Sequence, residues 1–393
     1  MKEITVVGMG MSLNTVTDEG LEAIAAAPAL FGSLRLLSLV SHLSISSYEG
    51  YTADRILAVM EEKGLSGAVL LVSGDTGFYS ASQSVAKGLS DCTIRFIPGV
   101  SSLSYFFAKL SMGWQDVKIM SCHGREGNVV DTVRRNYRTF LLTGSNRHTL
   151  AGELRRCGFG DLTVFVGENL GAENEEVYKT TVEGLNESDA LTVLLIENPH
   201  FEPRVRFGIP DDSFVRGEIP MTKAEVRAVT MSKLAPKPGD VCYDLGCGTG
   251  SVTAELALAA YEGQVFAIDK KEEAIDLTKE NCRNFHIGNI TTLCGCMPKA
   301  LDDLPPADVV FIGGSSGQMN EIFETVLLKN PRARIAVNAI SLETISAATE
   351  AFAAHKIQPD IVQIGISKAK WVGGNHLMIG QNPVYVISGG GHE

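Results

Sequence analysis

The sequence predicts an α/β protein with two halves, the second of which has a Rossmann-like fold. Residues 4–143 alternate between short apolar runs and helical segments, which is typical of a mostly parallel sheet. Residues 241–260 run from an apolar strand through a glycine turn into a helix, the entry to a Rossmann-type unit. A segment rich in Pro, Gly and charge at 198–217 separates the halves. We therefore expect domains at residues 1–205 and 210–393.

The first half is expected to contain two α/β subdomains. Strands are predicted at residues 4–7, 68–72, 93–97, 117–120 and 140–143. Helices are predicted at residues 17–27, 53–63 and 102–110, with Thr17 as an N-cap. Further strands are predicted at residues 163–167, 177–181 and 191–196. The closer spacing of this last group fits a second subdomain with mixed strand pairing.

The composition indicates a globular protein that binds neither nucleic acid nor membrane. The 393 residues are 45% hydrophobic and 20% charged, which is enough apolar material for full cores. The net charge of −12 argues against nucleic acid, whose binding proteins carry basic patches. No apolar run approaches the roughly 20 residues of a membrane span, and no signal peptide is visible, so we expect a cytoplasmic protein. The eight cysteines include no C-x-x-C pair, so no metal is expected.

Asp244 and the three glycines after it indicate the ligand of the second half. The glycines at 246, 248 and 250 have the spacing G-x-G-x-G, whereas dinucleotide folds use G-x-G-x-x-G. A carboxylate at the strand end would repel a pyrophosphate but suits the cationic S-adenosylmethionine. Asp269 ends the next strand, at the distance where an acid meets ribose hydroxyls. The pattern resembles motif I of the class I methyltransferases.

Loops of the first half resemble the tetrapyrrole methylases, a second and unrelated kind of methyltransferase. The matching loops are Gly8-x-Gly10, Ser73-Gly-Asp75 and Pro98-Gly-Val-Ser-Ser102, with further matches at 121–125, 167–170 and 208–227. In that family, such loops build a cleft between two α/β subdomains, and S-adenosylmethionine binds there. Followed by motif I, the order of motifs is similar to the bifunctional precorrin methyltransferase family of cobalamin synthesis.

This resemblance implies two S-adenosylmethionine sites, a tetrapyrrole substrate and a homo-oligomer. It assigns methylation of a precorrin at C-5 to the first half. It assigns methylation at C-15, with loss of the C-12 acetate carboxylate, to the second half. Methyl transfer from a sulfonium is a direct displacement, so alignment and exclusion of water matter more than a nucleophilic triad. The conjugated macrocycle can serve as the electron sink for decarboxylation, so the reaction needs no metal or pyridoxal cofactor.

The resemblance also implies the site residues. Donor contacts of the first half are expected from Gly8, Gly10, Gly74, Asp75, Ser101 and Ser102. Donor contacts of the second half are expected from Thr222, Asp244, Gly246, Cys247, Gly248, Thr249, Gly250, Asp269, Cys296 and Met297. Expected substrate contacts are Arg125 and Arg227, for carboxylates, and Gly313 and Gly314, for a flat ring. Candidates for catalysis are His123, Lys223 and His376, the two histidines as proton carriers.

The predicted sheet topology also places two thiols, independently of the family resemblance. Cys247 lies in the turn after the first strand of the second half, and Cys296 lies just past the strand predicted at 290–294. Ligands of a doubly wound sheet bind outside the carboxyl ends of its strands, so both thiols are expected to line one donor pocket. The alternative, that each thiol points into the core, stays open.

Three other functions also stay open at this point. A methyltransferase fusion could act on RNA or protein, because Ser-Gly-Asp loops occur in such relatives too. A nicotinamide dehydrogenase is opposed by the glycine spacing and by Asp244. A non-catalytic binding module, in which one half has lost donor binding, is kept open by Met9 and Cys296, which depart from the family pattern.

Overall fold

The computed structural model of the chain describes residues 2–80, 82–122, 127–144 and 147–391, which fold into two compact units. The first unit comprises Met1–Arg125, Tyr137–Leu150 and Leu162–Asn198. The second unit comprises Glu126–Asn136, Ala151–Asp161 and Pro199–Glu393. The predicted α/β class is confirmed. The second unit includes two segments from the first half of the sequence. That residues 1–205 and 210–393 are separate domains stays a prediction.

A sheet of five parallel strands forms one half of the first unit, in the order β3-β2-β4-β1-β5. Its strands are β1 (Lys2–Gly8), β2 (Leu30–Gly32), β3 (Ser47–Glu49), β4 (Gly67–Val72) and β5 (Cys92–Ile97). The helices of this part are α1 (Asp18–Ala25), α2 (Leu34–Leu39), α3 (Ala53–Glu62), α4 (Ser82–Gly88) and α5 (Ser102–Leu110). The strands and helices predicted here are confirmed. Thr17 caps α1, because its hydroxyl oxygen accepts from the backbone N–H of Gly20 at 3.1 Å.

A second sheet, in the order β6-β7-β10-β8-β9, has the mixed pairing that the sequence predicts. Its strands are β6 (Lys118–Ser121), β7 (Arg138–Gly144), β8 (Thr163–Glu168), β9 (Glu176–Thr181) and β10 (Thr192–Glu197). Only β6 and β7 pair in parallel. An apolar cluster joins this sheet to α5, and the ring centroid of Phe140 lies 6.1 Å from that of Phe106. In the chain, α6 (Val129–Arg135) lies between β6 and β7, and α7 (Arg147–Arg156) lies between β7 and β8.

The second unit contains the predicted Rossmann-like sheet, in the order β13-β12-β11-β14-β15-β19-β16. Its strands are β11 (Val241–Leu245), β12 (Gln264–Asp269), β13 (Ile290–Cys294), β14 (Val309–Ile312), β15 (Arg334–Ala339), β16 (Asp360–Ile364) and β19 (Val384–Gly389). Its helices are α8 (Ala224–Leu234), α9 (Ser251–Ala259), α10 (Glu272–Asn284), α11 (Met319–Lys329) and α12 (Leu342–Ala354). Strands β11 to β15 are parallel, and β19 runs antiparallel to β15 and β16. The remaining strands, β17 (Ser367–Val372) and β18 (Asn375–Gly380), form a hairpin.

Residues after α7 pack within the second unit against the end of α10. The ring of Phe159 stacks on that of His286, with 4.4 Å between centroids. Nδ1 of His286 lies 2.6 Å from the carbonyl oxygen of Cys157. A Cβ added at Gly288 would lie 2.9 Å from Cβ of Val130 in α6. This close approach explains why a glycine follows α10 at this position.

A buried ion pair fastens the segment before α8 to the body of the second unit. Arg227 in α8 and Glu255 in α9 both have fully buried side chains, and Nε of Arg227 donates to Oε1 of Glu255 at 2.8 Å. A second guanidinium nitrogen donates to Oδ1 of Asp211 at 3.1 Å. Glu255 in turn accepts from the backbone N–H groups of Gly208 and Ile209, both at 3.0 Å. The pair therefore holds residues 208–211 against two helices.

We predict that Arg227→Met lowers the free energy of unfolding of the second unit by about 3–5 kcal/mol. The physical reason is that the substitution leaves Glu255 as an unpaired buried charge. Amide hydrogen exchange in α8 and α9 measures the loss. Arg216, whose exposed side chain pairs with Asp212, provides the control, and Arg216→Met is expected to cost less than about 1 kcal/mol. Equal losses in the two variants would contradict the prediction.

Candidate functional site

The glycine turn of the second unit lies at the carboxyl end of β11. Gly246 and Gly248 have φ angles of 79° and 57°, in the left-handed region that favours glycine. A Cβ added at Gly248 would also lie 3.2 Å from the carbonyl oxygen of Pro220. Asp269, at the end of the neighbouring β12, accepts from the backbone N–H of Gly248 through Oδ2 at 3.1 Å. The structure thus brings the predicted ribose acid to the predicted turn.

The two glycines after β14 border the same turn. The backbone N–H groups of Gly313 and Gly314 both donate to the carbonyl of Leu245, at 2.8 and 3.2 Å. A Cβ added at Gly246 would lie 2.8 Å from the nitrogen of Gly314. A Cβ added at Gly314 would meet no heavy atom of the described residues within 4 Å, so this position faces open space. The predicted donor residues and the predicted ring contact are therefore neighbours.

Asp244 lies beneath the turn, and its carboxyl group is fully buried. Its Oδ2 accepts from the hydroxyl of Thr253 at 2.5 Å, and its Oδ1 has no hydrogen-bond partner among the described residues. Burial raises the pKa of Asp244 to about 7, and the charge of Asp269 adds to the increase. The hydroxyl of Thr249, in the turn itself, is likewise buried without a described partner. Such orphaned polar atoms are uncommon in native proteins, and they fit a site for a polar, cationic ligand.

Residues after β13 complete this edge of the sheet. The parallel pairing of β13 with β12 confirms the strand predicted at 290–294 and sets Cys294 opposite Asp269. The backbone N–H of Gly295 donates to the carbonyl of Asp269 at 2.9 Å. Cys296 follows with an exposed thiol, and Met297 is buried in the core of the sheet. Cys296 is therefore an exposed residue directly after Gly295, whose backbone N–H contacts Asp269.

Cys247 does not share this exposure, so its thiol corrects one expectation. Its side chain is buried in a small cluster with Ala267 and Ile275. The hydroxyl of Thr278 donates to its sulfur at 3.4 Å, and burial raises the pKa of the thiol. The expectation that this thiol lines the donor pocket is wrong, because a residue within a tight turn can present its backbone to one side and its side chain to the core.

Arg227 corrects a second expectation. A fully buried guanidinium that already donates to Glu255, Asp211 and two backbone carbonyls has no face left for a substrate carboxylate. One of those carbonyls belongs to Thr222, next to Lys223 at the N-terminus of α8. Arg227 therefore shapes the segment that carries these two predicted site residues, and it is structural.

The remaining candidates for catalysis and substrate binding do not lie together in the structure that is described. Lys223 is partly exposed, and its Nζ lies 3.8 Å from Oδ2 of Asp211. His376 lies on the exposed hairpin, with its ring centroid 4.7 Å from that of Trp371, and its described contacts do not include the glycine turn. His123 and Arg125 fall outside the described residues.

The predicted loops of the first unit converge at the carboxyl ends of β1, β4 and β5. Gly10 and Gly74 exchange backbone hydrogen bonds of 3.1 and 3.0 Å. A Cβ added at Gly8 would lie 2.6 Å from the nitrogen of Gly99, a distance no side chain tolerates. Asp75 fixes the arrangement, since its Oδ1 accepts from the N–H of Gly99 at 3.2 Å.

Two further features extend this group of loops. Ser101 caps α5, because its hydroxyl oxygen accepts from the N–H of Ser104 at 3.1 Å, and Ser102 begins that helix. The loop after β8 also reaches the area, since a Cβ added at Gly171 would lie 2.3 Å from the carbonyl oxygen of Met11. The loops of both sheets therefore meet beside the first glycine loop.

Several residues at these edges were missed from the sequence. In the first unit, Arg147 is buried and pairs with Glu168 and with the hydroxyl of Tyr178, the latter at 2.9 Å. In the second unit, Nζ of Lys270 donates to the hydroxyl of Ser316 at 3.2 Å. The signal for Lys270 was its position directly after a strand that ends in the ribose acid.

We predict that Asp244→Asn stabilises the ligand-free protein, and more at pH 8 than at pH 5. A carboxyl group whose pKa is raised on folding contributes stability at low pH and loses it as the pH rises through about 7. Asparagine does not ionise, and it can still accept from Thr253. The gain at pH 8 is on the order of 1–4 kcal/mol, read from thermal unfolding at the two pH values. An Asp303→Asn control at an exposed position should show no such pH trend, and the same trend there would contradict the assignment.

Comparison with known proteins follows the division of the chain. A family model described as tetrapyrrole (corrin/porphyrin) methylases matches residues 3–186, and one described as precorrin methyltransferase domain matches residues 212–388. The "Probable cobalt-precorrin-6B C(15)-methyltransferase (decarboxylating)" of Pyrobaculum calidifontis is 40% identical over 184 residues, which cover 46% of this chain and 94% of that protein. The "Precorrin-6Y C(5,15)-methyltransferase [decarboxylating]" of Sinorhizobium sp is 29% identical over 402 residues, covering 98% and 95%.

A crystal structure of precorrin-6y C5,15-methyltransferase from Geobacter metallireducens GS-15 is 34% identical, covers 47% of this chain and 97% of that one, and gives a TM-score of 0.45. Among the described residues, none of the helices combines the length and the apolar character that crossing a bilayer requires. Since the relative at 40% identity is covered over nearly its whole length, and one matched family model is that of the precorrin methyltransferase domain, the chain belongs to the precorrin methyltransferases, enzymes that use S-adenosylmethionine.

Proposed function

We propose that this chain methylates a precorrin at C-5 and at C-15 and removes the carboxylate of the C-12 acetate, as a step of cobalamin synthesis. The observation that carries the proposal is the presence of two separate sets of glycine loops, each at the carboxyl ends of parallel strands. A relative named for both methylations aligns with 98% of the chain. A relative named for the C-15 reaction alone aligns with only 46% of it, which supports separate catalytic parts. We assign these parts to residues 1–205 and 210–393.

The second site holds S-adenosylmethionine through the turn after β11. The donor supplies a methyl group on a cationic sulfur, so a negative charge nearby favours its binding. Asp269 keeps lone pairs for ribose hydroxyls, although each of its oxygens already accepts one backbone N–H, from Gly248 and from Lys271. Asp244 supplies a buried charge below the turn once a cation lowers its pKa.

The first site holds a second donor molecule among the loops after β1, β4 and β5. The side chain of Asp75 already accepts from the N–H groups of Gly77 and Gly99, so it mainly fixes the loop shape. Gly8, Gly10 and Gly74 are the donor's proposed contacts: the first two let the loops pack closely, and the nearest heavy atom among the described residues, chain neighbours aside, lies 3.9 Å from the Cβ position of Gly74. Ser101 and Ser102 place the first N–H groups of α5 beside these loops.

The substrate lies across Gly313 and Gly314 in the second site. Lys223 and Lys270, both at the carboxyl edge, are placed to meet peripheral carboxylates, in place of the buried Arg227. His376 remains a proposed proton carrier. None of the eight cysteines, all of them among the described residues, forms a disulfide, which supports a reducing compartment such as the cytoplasm.

We predict that Asp269→Ala abolishes the C-15 methylation and spares the C-5 methylation. Loss of a charge-assisted hydrogen bond to a ribose hydroxyl costs about 1.5–3 kcal/mol, or roughly 10- to 150-fold in donor affinity. Mass spectrometry of the tetrapyrrole after incubation with labelled donor should show one added methyl group instead of two.

The reciprocal variant Asp75→Ala is the matched control, because it disturbs only the loops of the first unit. It should spare addition at C-15 when the C-5-methylated substrate is supplied. Loss of both methyl groups in Asp269→Ala, with the protein still folded by circular dichroism, would refute the assignment of one donor site to each half.

We also propose that the chain forms a homo-oligomer through the hairpin β17–β18. All residues of the two strands are exposed, including Trp371 at 62% and Met378 at 65%. The strand register places these two on one face of the ribbon, and Leu377 and Ile379 on the other. A two-stranded hairpin is only marginally stable alone, and its unpaired edges invite further strands. Apolar side chains stand on both faces, beside Lys368 and Lys370 on the face of Leu377 and Ile379, so a second copy of the hairpin covers the ribbon better than a flat ligand on one face would.

The double variant Leu377→Lys with Met378→Lys should shift the protein toward monomer. Each substitution places a charge on one face of the ribbon, where it would be buried in the assembly. Analytical ultracentrifugation measures the change. Leu34 is 64% exposed in the first unit and serves as a control, because Leu34→Lys should leave the sedimentation coefficient unchanged. A wild-type protein that sediments as a monomer would exclude the proposal.

A further inference from the structure

Two large aliphatic side chains stand exposed at the carboxyl edge of the second unit's sheet. Ile340 is 73% exposed and Leu342 is 78% exposed. They lie on either side of Ser341, between the end of β15 and the first turn of α12. Single exposed aliphatic residues are common on protein surfaces, but these two are neighbours at the edge that carries the glycine turn.

They follow the strand next to the one that carries the predicted ring contact. Strand β14 is the parallel neighbour of β15, and Ile312 is paired with Val337. The pairing ends there, so Gly313 and Gly314, which follow β14, and Ile340, which follows β15, leave adjacent strands at the same edge of the sheet. Gly314 faces open space, so bare backbone is exposed at the same edge of the sheet as the two aliphatic side chains.

The local backbone is fixed, which makes these side chains a rigid surface. The hydroxyl oxygen of Ser341 accepts from the N–H of Thr344 at 3.2 Å and caps α12. A hydrophobic staple would offer a purely structural reason for Ile340, by packing it against Ile345 one turn into the helix. A side chain that is 73% exposed does not fulfil that role. The exposure of Ile340 therefore calls for another contact.

We propose that Ile340 and Leu342 form an apolar platform that packs against the face of the substrate macrocycle and sets the specificity of the second site. This inference rests on the proposed function, because it assumes a flat conjugated ring as substrate. A ring of that kind is apolar on its faces and charged at its edge. An aliphatic surface at the edge that carries these glycines matches the face, and Lys223 and Lys270 are placed for the charged edge of the ring.

The test is the double variant Ile340→Asp with Leu342→Asp, assayed for C-15 methylation at saturating S-adenosylmethionine. We expect the KM for the precorrin to rise by about tenfold or more, because apolar contact is lost and carboxylates are set against a carboxylate-rich substrate. The affinity for S-adenosylmethionine, measured by calorimetry, and the rate of C-5 methylation should not change. The conservative pair Ile340→Leu with Leu342→Met should keep the wild-type KM.

Leu328 offers a matched control, because it is 84% exposed in the last turn of α11, away from the carboxyl edge. Leu328→Asp should leave KM unchanged. An active wild type with an unchanged KM in the double aspartate variant would overturn the platform alone. A wild type that binds S-adenosylmethionine but adds no methyl group at C-15 would overturn the proposed function and the platform with it.

Discussion

The buried pair of Arg227 and Glu255 is the constraint on which the second site depends. It removes two charges from water, which is favourable only because each finds further partners among the backbone groups and carboxylate of residues 208–222. That segment then passes over the glycine turn, where Pro220 comes within 3.2 Å of the place a Cβ on Gly248 would occupy. This ion pair therefore fixes the segment that passes over the glycine turn, the N-terminus of α8 and the position of Thr222. The contacts that stabilise the fold here also give the ligand site its shape.

The two units share one loop arrangement at the carboxyl ends of two different sheets. In each, parallel strands end in glycines so tightly packed that a Cβ at Gly8 or at Gly246 would overlap a neighbouring backbone. A carboxylate then ties adjacent loops together, Asp75 in the first unit and Asp269 in the second. The N–H groups of Gly10, Gly74, Gly246 and Gly248 all donate within the protein, so both sets of loops are held in a fixed shape. A fixed loop suits a ligand that must be held in line for a displacement. The similarity is one of geometry, since the strand orders of the two sheets differ.

The strands, the glycine turns and the acids at strand ends could be predicted from the sequence, because hydrophobic periodicity and turn chemistry are local signals. The direction of individual side chains could not. Cys247 and Arg227 lie within correctly predicted motifs, yet both side chains point into the core, since burial depends on which helix packs above them. Met9, in the first glycine loop, likewise has its side chain buried in the core beside β1. The platform residue Ile340 gave no sequence signal, because an aliphatic residue before a helix cap is normally a packing residue.

Asp244 shows why such a site is kept at a cost to the fold. A carboxylate with one unpartnered oxygen in the middle of a sheet is a net burden on stability in the absence of ligand. Asparagine would fit the same space and satisfy the same hydroxyl of Thr253. The acid is therefore explained by what it gains when a cation lies beyond the turn, where low dielectric strengthens the attraction. The same reasoning separates Asp244 from Glu255, whose charge is fully paired within the protein and is structural. The number of hydrogen-bond and ion-pair partners within the protein thus distinguishes a buried charge that stabilises the fold from one that binds a ligand.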